Sequence, residues 1–304
     1  MPVDMRGAAS TSGISLGLWG CRASYKVEVA VSRDGIVNLS TLSEMRFETI
    51  NMLVNLFLWT ATAVATLSML DRRQSISWGA QVRSGPAKVS IIATSTTMYP
   101  PAIPHPQNAY LFLWMGIYPD NGDLIQSIVG SYSKGQSECY GPNADTAWCI
   151  SSEVYGTLNG HTNQFVGQMT TAWPDYTNGV TFNYTLIDRS TWLWNQTMHD
   201  ATTGKLLSTY QKTSGPMTHW DTAAECQGAC SLPTTPHTYV NSTIVFETAY
   251  PAFPSSLTTI GGATHTGAKT TDGGKTYTID KITIPAKCSS PCTIKRFGKS
   301  SREE

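Results

Sequence analysis

Hydrophobic residues in this chain recur at every second position in short runs, and turn-forming residues separate the runs. Successive side chains on a strand point to opposite faces, so this alternation predicts β-strands. Strands are expected at residues 89–94, 110–118, 124–132, 148–155 and 164–173. Five more are expected at 180–187, 191–198, 205–211, 238–248 and 275–284. Asp120-Asn121-Gly122-Asp123, Thr202-Thr203-Gly204 and Asp272-Gly273-Gly274 lie between runs and suit tight turns. The Pro-rich stretch 99–106 is unsuited to a central strand, because proline cannot donate to the ladder. No long stretch carries helical periodicity. Ten or more strands in roughly 220 residues predict an all-β fold, a two-sheet antiparallel β-sandwich of jelly-roll type.

Parity assigns the faces. In the run 110–118, Leu111, Leu113, Met115 and Ile117 form an aliphatic face suited to a core. Tyr110, Phe112, Trp114, Gly116 and Tyr118 form the other, which is aromatic. A strand apolar on both faces is covered on both sides or borders an apolar groove. If Asn183 and Asn195 face solvent, then Phe182, Tyr184 and Leu186 face away from it, and Trp192, Trp194, Gln196 and Met198 do the same. Those rings either pack a core or line a cleft. Nine Trp and thirteen Tyr exceed what packing demands, and amphipathic rings suit a groove for a flat ligand or a sugar.

Residues 45–65 have a basic start, an apolar centre (MLVNLFLWTATAVA) and the small-x-small finish Ala63-Val64-Ala65. These are the parts of a secretory signal peptide, and the apolar run is shorter than the ~20 residues of a membrane span. A signal anchor is the alternative. On this reading translation starts at Met45, residues 1–44 are a gene-model extension or a disordered leader, and the sandwich occupies 66–287. A Cys-containing polar tail, 288–304, follows. The location implied is the secretory pathway or the extracellular space.

Cysteine counting agrees. Seven is odd, and removing the leader removes Cys21 and leaves six. Cys139 and Cys149, Cys226 and Cys230, and Cys288 and Cys292 fall into neighbouring pairs, so local bridges are the simplest of fifteen connectivities. No His sits at ligand spacing beside them, which favours disulfides over a metal. Asn183-Tyr-Thr, Asn195-Gln-Thr and Asn241-Ser-Thr are three glycosylation sequons in the same region.

Charge excludes some partners. With 21 basic and 21 acidic residues the formal net charge is zero, and only 14% of residues are charged. Nothing attracts nucleic acid or an anionic membrane over a distance. No stable membrane span remains after signal removal, and the sequence leaves the oligomeric state open.

Most catalytic signatures are missing. There is no His-Glu-x-x-His, phosphate loop or dinucleotide fingerprint, and no Glu-x-Asp-x-x-Glu of sandwich-fold glucanases. No cofactor and no metal is expected. Asp120 and Asp123 could hold calcium, but a hairpin turn explains them more simply. Gly13-Ile-Ser-Leu-Gly17 matches a nucleophile elbow only by letter, in the upstream segment.

A family resemblance rests on four short stretches in order. Leu113-Trp114-Met115-Gly116-Ile117 and Leu124-Ile125-Gln126-Ser127 resemble the Trp-x-Gly-Ile … Leu-Gln stretch of the eqolisins. These are fungal acid glutamic peptidases with a concanavalin-like sandwich. Thr171-Ala-Trp-Pro-Asp175 resembles their Trp-Tyr-Pro strand end, and Asn195-Gln-Thr-Met-His-Asp-Ala-Thr-Thr-Gly-Lys205 resembles their Asn-x-Thr-Thr-Gly hairpin. Thr243-Ile244-Val245-Phe246-Glu247 is similar to their Glu-Trp-Ile-Val-Glu strand. The resemblance implies that Gln126 is the catalytic glutamine, which positions water and stabilises an oxyanion. It places the catalytic glutamate on Ser242 or Thr243, neither of which can transfer a proton as a carboxyl does. Glu247 matches only the second glutamate, and parity puts it on the face of Asn241.

A sandwich without a complete acid–base pair is similar in overall character to the fungal hetero-Diels–Alderases of tropolone–sesquiterpenoid pathways. That likeness implies a cofactor-free pericyclase joining an apolar terpene alkene to a reactive quinone methide, working by proximity and orientation. Phe112, Trp114, Trp173, Trp192 and Trp194 would form its apolar wall, with Glu247 beside the ligand. Gln126 or Tyr132 would polarise the carbonyl. The rival expectations are an acid glutamic peptidase, a secreted carbohydrate-binding lectin and a cell-wall structural protein.

Overall fold

The computed structural model describes residues 76–167 and 170–287, all within the compact unit Arg73–Glu304. The leader expected at 1–44, the signal peptide expected at 45–65 and the pair Cys288 and Cys292 lie outside the described residues. Along the chain come β1 (Ile76–Ser84), β2 (Ile91–Tyr99), β3 (Tyr110–Tyr118) and β4 (Leu124–Tyr132). Next are β5 (Trp148–Leu158), β6 (His161–Val166), β7 (Thr171–Trp173) and β8 (Val180–Asp188). β9 (Leu193–Asp200), β10 (Leu206–Thr213), β11 (His219–Gln227) and β12 (His237–Phe246) follow. A one-turn helix, α1 (Phe253–Ser256), leads to β13 (Thr258–Ile260), β14 (Thr264–His265), β15 (Ala268–Lys269) and β16 (Thr276–Ile284).

These strands make a two-sheet antiparallel β-sandwich. The first sheet runs β13-β1-β11-β3-β4-β5-β6, with β7 also on β5. The second runs β10-β9-β8-β2-β12-β16-β14, with β15 also on β16. The chain crosses between sheets repeatedly, so each sheet is assembled from distant segments. No helix among the described residues is long and apolar enough to cross a membrane.

The core lies between the sheets, where parity put it. Leu111, Leu113, Met115 and Ile117 of β3 are fully buried against Phe182 and Tyr184 of β8 and Tyr239 and Ile244 of β12. Two tyrosines satisfy their hydroxyls across that core: Tyr184 donates to the Met115 carbonyl at 2.6 Å, and Tyr239 to the Trp114 carbonyl at 2.9 Å. Trp220 donates from Nε1 to Thr94 Oγ1 at 3.1 Å, again linking the sheets.

Three expectations need correction. The run 164–173 is two strands, because Gly167 turns away to donate its N–H to the Ser152 carbonyl at 2.7 Å. A Cβ there would lie 2.4 Å from the Thr209 carbonyl oxygen, so only glycine fits. β1 and β11 were not expected at all. In β11, His219, Asp221, Ala223 and Glu225 occupy one parity, and the acidic positions break the apolar alternation that marks a strand. Finally, Trp192 does not share a face with Trp194. It stands in the turn before β9 at φ 54°, which reverses its parity.

The turns behave as their residues demand. Asp123, after the β3–β4 turn, pairs with Lys212 and accepts from Ser214 Oγ at 2.8 Å. Before β10, Asp200 Oδ1 accepts from the N–H groups of Thr202 and Thr203 at 2.9 and 2.8 Å. The bridges Cys139–Cys149 and Cys226–Cys230 are formed. Asn183 and Asn195 are half-buried with parity opposite the core, and Asn241 is exposed at φ 52° beside a bulge.

Candidate functional site

The outer face of the first sheet gathers most of the chemistry. Antiparallel register sets five residues in one row across it: Arg83 on β1, Asp221 on β11, Gly116 on β3, Gln126 on β4 and Glu153 on β5. Neighbouring strands lie about 4.8 Å apart, so the backbones of Asp221 and Gln126 are about 10 Å apart. Between them Gly116 offers no side chain. The lane is roofed by its neighbours: a Cβ on Gly116 would meet Leu124 Cδ1 at 2.7 Å and Trp114 Cζ3 at 3.1 Å.

The row on one side contains Ala223, Trp114 and Ile128; beyond it lie Trp78, Glu225, Phe112 and Gly130. Trp78 meets Trp114 edge-on at 5.7 Å between ring centres, and Phe112 meets Tyr132 edge-on at 5.5 Å. Trp78, Trp114 and Phe112 with Leu124, Ile128 and Ala223 form a second apolar cluster, separate from the sandwich core, and Tyr132 packs with Cys139 and Cys149 in a third. The second cluster explains why β3 is apolar on both faces.

Gln126 is 6% exposed, and its side-chain amide makes no hydrogen bond with any described residue. Asp221 is as buried; its Oδ2 accepts the Tyr118 hydroxyl at 2.7 Å, the Ser84 N–H lies close to the carboxyl, and Oδ1 completes no hydrogen bond among the described residues. Burial pushes the Asp221 carboxyl up to about 6 despite Tyr118 and Arg83, whose Nε lies 3.9 Å away. His219 stacks on Tyr118 at 4.6 Å and points Nε2 toward Asp120 at 3.5 Å; burial holds its pKa below the ordinary histidine value.

On the other side of Gln126, burial and then the charge of Glu138 push Glu153 up to about 8. Gln164 donates to its Oε2, and its Oε1 has no partner. Glu225 accepts from Trp114 Nε1 at 3.2 Å and from Gln227 at 2.8 Å, and burial raises it as well. Tyr132 leans over Gly130 and donates to Glu138 Oε2 at 3.4 Å; burial lifts its pKa far above the usual phenol value. Protonated carboxyls in an apolar setting are what acid catalysis requires.

The residues expected from sequence are only partly brought together. Gln126, Tyr132, Phe112 and Trp114 share this face. Trp173 and Trp194 do not: both are core residues, donating to Asp200 Oδ2 and the Gly215 carbonyl, each at 3.3 Å. Trp192 and Glu247 sit elsewhere on Arg189, which stacks 3.7 Å above the Trp192 ring and pairs with Glu247 at 2.9 Å. A single aromatic wall of all five rings is therefore not built. Two clefts of about 420 and 410 Å³ lie beside Pro104 and Leu232 and beside Glu138 and Tyr140; neither is lined by Phe112, Trp114 or Gln126.

The positions that the resemblance aligned with a catalytic glutamate, Ser242 and Thr243, are not in the sheet of Gln126. β12 belongs to the second sheet, and Ser242 is buried 2.7 Å from Thr96 Oγ1. β11 is the strand that shares a sheet with Gln126, and its Asp221-Thr-Ala-Ala-Glu225 has acids at the separation of Glu-Trp-Ile-Val-Glu. That spacing was the available signal. Among the described residues no three His, Cys, Asp or Glu side chains converge as metal ligands.

No protein-family model and no curated protein matches the sequence. Solved structures do. Scytalido-glutamic peptidase bound to a peptide-based transition-state analogue aligns at 14% identity and TM-score 0.40, over 68% of this chain and 98% of that one. SCP-B, a member of the Eqolisin family of peptidases in complex with the tripeptide Ala-Ile-His, aligns at 13% and 0.37 over the same shares. The κ-carrageenase from Pseudoalteromonas carrageenovora, bound to a κ-carrageenan oligotetrasaccharide, aligns at 11% and 0.32 over 66% of each chain.

Proposed function

We propose that the outer face of the first sheet hydrolyses peptide bonds under acidic conditions, with Gln126 and Asp221 as the working pair. The observation that carries this reading is the Asp221–Gly116–Gln126 row, in which an amide without a side-chain hydrogen bond and a buried carboxyl stand on the strands either side of a glycine that Leu124 and Trp114 cover. A substrate carbonyl in the lane over that glycine displaces the flexible end of Leu124. Gln126 orients the water and donates to the oxygen as negative charge develops there. Asp221 lends its proton to the peptide as water adds and takes back a water proton. A second exchange at nitrogen releases the amine and leaves Asp221 protonated, as it began. In this reading Asp221 takes the acid's part that Ser242 and Thr243 cannot play.

One observation favours a second reading, the cofactor-free cycloaddition of an apolar alkene with a quinone methide. The cluster of Trp78, Phe112 and Trp114 borders Gln126, and neutral Glu153 in the same row can donate a hydrogen bond that lowers the orbital energy of an electron-poor carbonyl.

Purified protein incubated with denatured casein between about pH 3 and 6 tests the first reading; fragments are expected, with rates at least about a hundredfold lower in Q126A and D221N. Intact casein throughout, with raised cycloadduct yield from a diene and a quinone methide, would overturn it in favour of the second. Glycan binding without turnover would favour a lectin.

A further inference from the structure

Arg83 stands beyond Asp221 in the row, with Thr258 of β13 on its far side, and its charge is poorly matched. Its side chain is 36% exposed. Of the five N–H donors of a guanidinium, one reaches the Tyr118 hydroxyl at 3.5 Å, and the nearest carboxylate oxygen stands 3.9 Å from Nε. The groups that face it are already occupied. Tyr118 spends its own proton on Asp221, and Asp120 faces His219. Once Asp221 holds its proton, as hydrolysis requires, Arg83 is a partly exposed cation without a counter-charge among the described residues beside it. A planar guanidinium with unspent parallel donors fits one chemical group best, a carboxylate held by two hydrogen bonds.

We infer that Arg83 is the anchor for a carboxylate of the ligand, and that it orients an extended peptide across the row. This inference rests on reading the row as a peptide-hydrolysing site. Two strand spacings separate Arg83 from Gly116, about 10 Å, which is about three residues of extended chain. The carboxylate therefore lies about three residues from the bond in the lane. A peptide can supply it from its C-terminus or from an Asp or Glu side chain. A C-terminal carboxylate has the lower pKa and stays ionised at about pH 4.5, where the side chains begin to protonate.

The test measures binding, so it does not depend on turnover. Acetyl-trialanine free acid, its amide, and acetyl-Ala-Glu-Ala-amide are titrated by calorimetry at about pH 4.5 into wild type, R83Q and R83K. The free acid is expected to bind about tenfold more tightly than its amide to wild type, with the preference lost in R83Q and largely kept in R83K. The Glu peptide ranks the two carboxylate sources. Equal affinity for acid and amide, no binding of either, or a preference that survives R83Q would overturn the inference. If R83Q does not fold, the wild-type comparison of acid with amide decides alone. A peptide preference without casein cleavage would remove the hydrolytic reading and leave the anchor.

Discussion

Gln126 and Asp221 stand in one row across the first sheet, on the strands either side of Gly116, and both are almost fully buried. They come from strands about a hundred residues apart in sequence, joined in one row only because β3 pairs with both. Four further predictions follow from the packing and charge around them.

Gly116 leaves no room for a side chain of its own. A methyl group there would press on Leu124 Cδ1 at 2.7 Å and on the Ile125 carbonyl at 3.1 Å. G116A is expected to cost about 1–3 kcal/mol in urea unfolding and to abolish cleavage. Adding L124A should recover part of the stability, because the two sites share one contact.

Glu153 gives stability a pH dependence of known sign. Its folded value, about 8, lies above the ordinary 4.5, so the native state binds the proton that the unfolded chain has released. Its contribution is complete below about 4.5 and is lost as pH rises toward 8. E153Q should flatten that decline, matching wild type near pH 5 and melting higher than it near pH 8.

His237 works in the opposite direction. It is 2% exposed in the core, neither ring nitrogen has a partner, and burial lowers its pKa to about 3. The unfolded chain takes up the proton first, so stability is lost as pH falls from about 6.5 to about 3. H237F, which keeps an edge-on ring against Tyr239, should gain about 1–3 kcal/mol at neutral pH, with a larger gain near pH 4 by urea denaturation.

The bridge Cys139–Cys149 closes a ten-residue separation and fixes the loop that carries Glu138 against β5. Replacing both cysteines by alanine should cost about 2–3 kcal/mol, the chain-entropy value for a loop of that length. Thermal melting of the double variant measures it.

Much of the sandwich was legible because half-buried strands repeat with period two. β3 displayed its core face in Leu111, Leu113, Met115 and Ile117, and the short stretch around Gln126 pointed to the outer face of the same sheet. The site's other half was hidden for physical reasons. β11 carries Asp221 and Glu225 at positions a strand pattern expects to be apolar, and their burial depends on rings from β1 and β3 that no local window contains. Order along the chain does not reveal which sheet a strand joins, so the resemblance at Ser242 and Thr243 says nothing of what stands beside Gln126. Trp192 escaped parity through one left-handed residue, and Trp173 and Trp194 proved to be core residues, each with its N–H satisfied inside the fold.

The most direct test is the pH dependence of casein cleavage in wild type, D221N and E153Q. The pairing of Gln126 with Asp221 predicts wild-type activity that falls as pH rises through about 6, a profile unchanged in shape in E153Q, and at least about a hundredfold loss in D221N. Full activity in D221N, or a fall near pH 8 that disappears in E153Q, would contradict it.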